Sequence, residues 1–163
     1  MKVAIVLAGL VVVAVAAIVA IQPSFLKPAS LAGVKKSDMF GFSPGMTSDE
    51  TTKLGTQRHY LCRQGRGSQT LECEINGAKV TVYSDDADAR RPIWRVHAEL
   101  NNPGPQGAAV KSISDQFNAE AVKDQDGWTW IVGRGFKLSY DGTALNLVDT
   151  AAEARLRKTD AKR

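Results

Sequence analysis

The chain has 163 residues, 44% of them hydrophobic and 23% charged, with two cysteines and a formal net charge of +4. That balance excludes a disordered chain, and the length suits one folded domain better than several. The C-terminal "TAAEARLRKTDAKR", with five basic and two acidic residues, supplies most of that net charge, but no aromatic residues are interleaved in it, so a nucleic-acid partner is not expected.

Val3 to Ile21 is an unbroken uncharged run with Lys2 before it and Gln22-Pro23 after it. As a helix it would be roughly 28 Å long, close to the ~30 Å of a bilayer's hydrocarbon core, so residues 1–21 are read as an N-terminal membrane anchor or uncleaved signal. A cleavable signal peptide is the competing reading. The run exceeds the roughly 7 to 15 apolar residues of a signal core, and no good small-x-small site follows it. Charge counting pulls the domain weakly toward the cytoplasm, whereas cysteine usage favours the periplasmic or cell-surface side, which is the side expected. Residues 22–38, with two prolines and three lysines up to Ser37, form a juxtamembrane linker. The folded domain is expected over 39–149, followed by a basic tail, 150–163.

The domain opens on "FGFSPGMTSDE". Phe40 and Phe42 are an apolar lead-in, Pro44-Gly45 a turn, and Thr47-Ser48-Asp49-Glu50 a capping box that starts a short helix, with Gly55 as its stop. The carboxylates of Asp49 and Glu50 are explained by that role. Downstream the period becomes two. In "TLECEINGAKVTVY" the Asn76-Gly77 pair predicts a type I′ hairpin in which Ile75 faces Ala78, Cys73 faces Val80 and Leu71 faces Val82. Glu72, Glu74, Lys79 and Thr81 take the solvated side. Cys62, at the end of "RHYLC", precedes a short loop returning to the strand of Cys73, which suggests a disulfide between Cys62 and Cys73. Zinc bound by Cys62, Cys73 and His59 or His97, or two reduced core cysteines in a cytoplasmic domain, are the alternatives, and the paired CxxC spacing of zinc sites is absent.

The acidic triplet Asp85, Asp86, Asp88 lacks the central Gly and closing Glu of an EF-hand loop and reads as a solvated turn. "IWRVHAEL" follows as a strand, with Trp94, Val96, Ala98 and Leu100 on one face and Arg95, His97 and Glu99 on the other. After "NNPGPQG" a second helix is expected, with Val110, Ile113 and Phe117 on one stripe. A second meander then runs through "WTWIV", "FKLSY" and "TALNLV". A two-residue Asp141-Gly142 turn would oppose Tyr140 to Thr143, Leu138 to Leu145 and Phe136 to Leu147. Gly133-x-Gly135 has no third glycine and no following helix, so a dinucleotide site is excluded. The fold class is therefore α+β: a transmembrane helix, then one small domain of short helices on an antiparallel sheet. "TSDE" and "ISDQ", at Thr47 and Ile113, suggest a tandem helix-plus-strands pseudo-repeat.

The stretch from Phe40 to Glu50 with its Gly45-Met46-Thr47, the Leu54-Gly55 pair and the cysteine spacing resemble the start of the BamE/SmpA-like domain superfamily, related to the β-lactamase inhibitor protein fold. The resemblance implies a non-catalytic extracytoplasmic module that binds another protein, and it transfers no partner. No cofactor is expected; the membrane is expected to be engaged through residues 3–21, and another envelope protein is the partner considered. Exposed loop arginines, Arg63, Arg66, Arg90, Arg91 and Arg134, are the candidate interaction surface. A small hydrolase or metal-dependent enzyme using His59, His97 and the Asp85 to Asp88 loop is the alternative function. It would require those groups to converge in one pocket.

Overall fold

The computed structural model describes residues 36–66 and 69–161. The expected anchor at Val3–Ile21 lies outside the described residues, as does most of the linker. Among the described residues no helix is long and apolar enough to cross a membrane.

The described residues form an α+β domain, with three helices and one eight-stranded antiparallel sheet among them. Helix α1 (Ser48–Gln57) leads into β1 (Leu61–Gln64), β2 (Thr70–Ile75), β3 (Ala78–Ser84) and β4 (Ile93–Leu100). Helix α2 (Gln106–Phe117) leads into β5 (Val122–Lys123), β6 (Trp128–Val132), β7 (Phe136–Tyr140) and β8 (Ala144–Val148), and α3 (Thr150–Asp160) follows. The spatial order is β1-β2-β3-β4-β8-β7-β6-β5, so the last strand of each meander lies innermost and the two pair with one another. "ISDQ" does not head α2: Ile113 to Gln116 occupy its C-terminal part.

The capping box forms as expected. The Glu50 N–H donates to Thr47 Oγ1 at 3.2 Å, and the Thr47 N–H donates to Glu50 Oε2 at 2.7 Å. Just before it, the Gly45 N–H donates to the Ile93 carbonyl at 2.8 Å and the Ile93 N–H to the Met46 carbonyl at 2.7 Å. The lead-in thus clamps the start of β4, while Phe42 is fully buried. The Asn76-Gly77 hairpin has the expected register, with both turn residues at positive φ, and Cys62 is directly opposite Cys73 and disulfide-bonded to it. A bond of this kind persists in an oxidising, extracytoplasmic compartment.

One sheet face is covered. Val80, Val82, Val96, Ala98, Trp130, Val132, Leu138 and Leu147 join Ile113 and Phe117 of α2 in a single core that spans both meanders, and Leu54 of α1 packs against it. The Trp130 indole donates to Ser114 Oγ at 2.9 Å, which satisfies its polar edge inside that core.

Three expectations are corrected. The bulge at Tyr83/Ser84 pairs Tyr83 with Arg95 but Ser84 with Ile93, so Trp94 is the extra residue. Ile93, not Trp94, is therefore the one buried, and the Trp94 ring lies 5.9 Å from that of Tyr83. The β7–β8 turn is two residues longer than expected, pairing Tyr140 with Leu145 and Leu138 with Leu147. A shift of two keeps every side chain on its intended face, which is why the apolar pattern could not reveal it. Finally, the C-terminal segment, expected as a frayed solvated helix or tail, is a largely exposed helix whose start is capped rather than frayed. Asp149 Oδ1 accepts from the Ala151 and Ala152 N–H groups, and Ala152 is only 5% exposed where α3 lies beside β4.

The chain enters the domain across α2 and the β6–β7 turn. Lys36 Nζ lies 5.2 Å from the centroid of the Phe117 ring, and a Cβ on Gly133 would run into Ser37. Burial holds the Lys36 ammonium pKa below its usual value; Asp38 works against that shift and Arg58 with it.

Candidate interaction face

The second face of the sheet is built by the residues that alternate with the core. Strand pairing sets them in three rows running across the strands. The first is Thr70, Tyr83, Arg95, Val148, Lys137 and Ile131. The second is Arg63, Glu72, Thr81, His97, Asn146, Ser139, Thr129 and Val122. The third is Leu61, Glu74, Lys79, Glu99 and Ala144. The large hydrophobic residues that are exposed among the described ones all lie in these rows: Leu61 at 75%, Ile131 at 65% and Val122 at 62%.

At the seam between the meanders, Asn146 Oδ1 gathers three donors. Arg95 donates to it from Nε at 3.1 Å and from Nη2 at 2.6 Å, and His97 Nδ1 lies at 2.8 Å. A carbonyl oxygen only accepts, so His97 carries its proton on Nδ1 in this arrangement. The Arg95 guanidinium also lies 5.2 Å from the centroid of the Tyr83 ring, a cation–π contact that continues to Trp94. The result is a contiguous group of Arg, Tyr and Trp on the two central strands β3 and β4, at the first-row side of the face.

The arginines selected from the sequence are distributed differently. Arg63 belongs to the second row and is ion-paired with Glu72 at 2.8 Å. Arg66, Arg90, Arg91 and Arg134 lie in the β1–β2, β3–β4 and β6–β7 connections, which share one end of the sheet. Of these, Arg90 and Arg91 share their connection with the acidic triplet, with Arg90 Nε 3.6 Å from Asp88 Oδ1. Asp85 accepts from the Ala87 N–H and Asp88 from the Arg90 N–H, each at 2.9 Å, so these carboxylates close their own loop. The Arg90 N–H bond holds the Asp88 carboxyl below its ordinary pKa. A shallow cavity between this loop and α3 is lined by Asp85, Asp88, Arg155, Leu156 and Thr159.

The structure does not bring His59 and His97 together. His59 is exposed in the turn joining α1 to β1, whereas His97 sits mid-strand on the uncovered face, its Nε2 3.9 Å from Glu99 Oε1. Among the described residues no group of three His, Cys, Asp or Glu side chains is placed to hold a metal ion, and both cysteines are in the disulfide.

Sequence reasoning placed Arg95 and His97 on the outer face of their strand but missed Tyr83, Trp94 and Asn146 as their neighbours. The only sequence signal for Tyr83 was its alternation with Thr81. Trp94 was masked by the bulge, and Asn146 lies 49 residues from His97, where no local pattern connects them. No protein-family model, no curated protein and no solved structure matches this chain.

Proposed function

We propose that this chain is a membrane-anchored, non-catalytic binding or scaffolding protein that works on the extracytoplasmic side and contacts another protein through the uncovered sheet face. The observation that carries this reading is the composition of that face: an Arg95–Tyr83–Trp94 group on the central strands β3 and β4, and exposed Leu61, Val122 and Ile131 on the strands toward its two ends. Aromatic and arginine anchors in such settings supply most of the energy of protein interfaces. The Cys62–Cys73 disulfide supports the compartment, and the uncharged run Val3–Ile21 supports the anchor. A helix followed by four strands occurs twice, which supports a tandem pseudo-repeat of the kind implied by the resemblance to BamE/SmpA-like domains. Nothing in the placement of His59 and His97 favours the enzymatic alternative.

The test is photo-crosslinking in intact cells from a benzoylphenylalanine at Ile131, on the face, and at Glu120, outside its rows, combined with thiol labelling of Cys62 and Cys73. Protein adducts from Ile131 alone, with thiols that label only after reduction, are expected. Thiols that are free and protected by the membrane would overturn the compartment. Equal adducts from both positions would overturn the face.

A further inference from the structure

We propose that the uncovered face docks against the same face of a second copy of this chain, related by a two-fold axis that runs across the strands along the row of Thr81, His97, Asn146 and Ser139. This rests on the reading of that face as a protein-contact surface and names its partner.

The argument is the antisymmetry of the outer two rows. A two-fold axis over the middle row brings each first-row residue over the third-row position of the same strand in the other copy. On β4, Arg95 and Glu99 are equidistant from His97, so Arg95 of each copy meets Glu99 of the other. On β3, Tyr83 meets Lys79 of the second copy, a ring facing a cation. On β8, Val148 meets the position of Ala144, a small residue that is itself only 7% exposed. On β7, Lys137 meets the position of Asp141, just past the strand. No like charges are opposed on these four strands. Within one chain Arg95 and Glu99 are about 13 Å apart along β4 and cannot pair. On the axis, Thr81, Asn146 and Ser139 are short enough for two sheets to approach to the ~10 Å of a sandwich, His97 lies among them, and at the β1–β2 end Arg63 and Glu72, ion-paired within each copy, stand over their counterparts.

The size also fits. Eight strands at about 4.8 Å spacing and five residues along each give a flat area on the order of 600 Å², comparable, once side-chain relief is added, with the ~800 Å² per partner of a standard interface. Such an interface is isologous, so each pair occurs twice and a single substitution is felt twice.

The test uses the full chain in detergent micelles, with its association constant measured by sedimentation. The wild type is expected to dimerise. Arg95→Glu and Glu99→Arg are each expected to weaken the dimer at least tenfold, and the two together on one chain to restore it to within a few-fold of wild type. A wild type that stays monomeric, or a double variant as weak as its parents, would overturn the proposal. Should Arg95→Glu fail to fold, a benzoylphenylalanine at Val148 gives an independent reading: a crosslink to the Ala144–Leu145 peptide of a second copy is expected. A crosslink from Val148 to a different protein would overturn the second copy as partner while leaving the binding face in place, and no protein crosslink from it at all would remove both.

Discussion

Asp141 shows how much one carboxylate can organise. Its Oδ1 accepts from the Thr143 N–H at 2.8 Å, the Thr143 hydroxyl at 2.9 Å and the Ala144 N–H at 2.8 Å, so it sets the register in which β8 enters the sheet. Replacing it by Ala is expected to cost about 1 to 2 kcal/mol in denaturant unfolding, the range for lost capping and charge-assisted bonds. Burial raises the Asp141 pKa, but these bonds outweigh it and leave the carboxyl below its ordinary value of 3.8. The Glu50 carboxylate accepts from the Thr47 N–H at 2.7 Å and the Thr47 hydroxyl at 3.0 Å, and these two bonds likewise hold Glu50 below 4.5. A depressed carboxylate contributes stability that is present above the unfolded pKa and is lost as pH falls through the folded one. The gap in unfolding free energy between wild type and Glu50→Gln should therefore be open at neutral pH and close as the pH falls below 4.5, and a gap independent of pH would refute the assignment. Both devices are local, yet only one was legible. The capping box is a fixed four-residue pattern, whereas Asp-Gly serves turns of several lengths, and nothing in the apolar alternation marks a shift of two.

At the scale of elements, β1 shows what holds a short edge strand in place. Four residues paired on one side are a weak element by themselves, and two further contacts secure this one. The disulfide joins β1 to β2, and Gly55 of α1 lies so close that a Cβ there would sit 3.0 Å from Cys62 Sγ. Replacing both cysteines by Ala should cost about 2 to 3 kcal/mol, read as the difference in guanidinium unfolding from wild type, with the gap vanishing under reductant. Gly55→Val should cost about 1 to 3 kcal/mol by overpacking the same spot, and wild-type stability in that variant would mean α1 does not rest on the disulfide. The cysteine pairing was readable because hairpin alternation directs Cys73 inward. The bulge that turns Trp94 toward Tyr83 was not readable, because it depends on Ile93 being bonded to Gly45 and Met46 from another part of the chain.

For the whole molecule the decisive pairing is β4 with β8, which makes one sheet of two meanders. Leu147, fully buried and opposite both Val96 and Leu138, sits at that junction. Leu147→Ala should cost about 2 to 5 kcal/mol. Because the core is continuous, tryptophan fluorescence and far-UV dichroism should report one coincident transition, and separate midpoints would show halves that unfold independently. The order helix, strands, helix, strands could be read from periodicity. That the fourth and eighth strands pair could not, because it joins segments about fifty residues apart by shape alone. The same arrangement bears on synthesis. Until residues 144–148 have been made, β4 presents an unsatisfied backbone edge beside a finished hydrophobic layer, the kind of template on which chains aggregate. A chain stopped before Ala144 should therefore be lost to inclusion bodies rather than survive as a smaller soluble domain. Its vulnerable surface would be the middle of the completed sheet, which is nowhere near an edge in the finished protein.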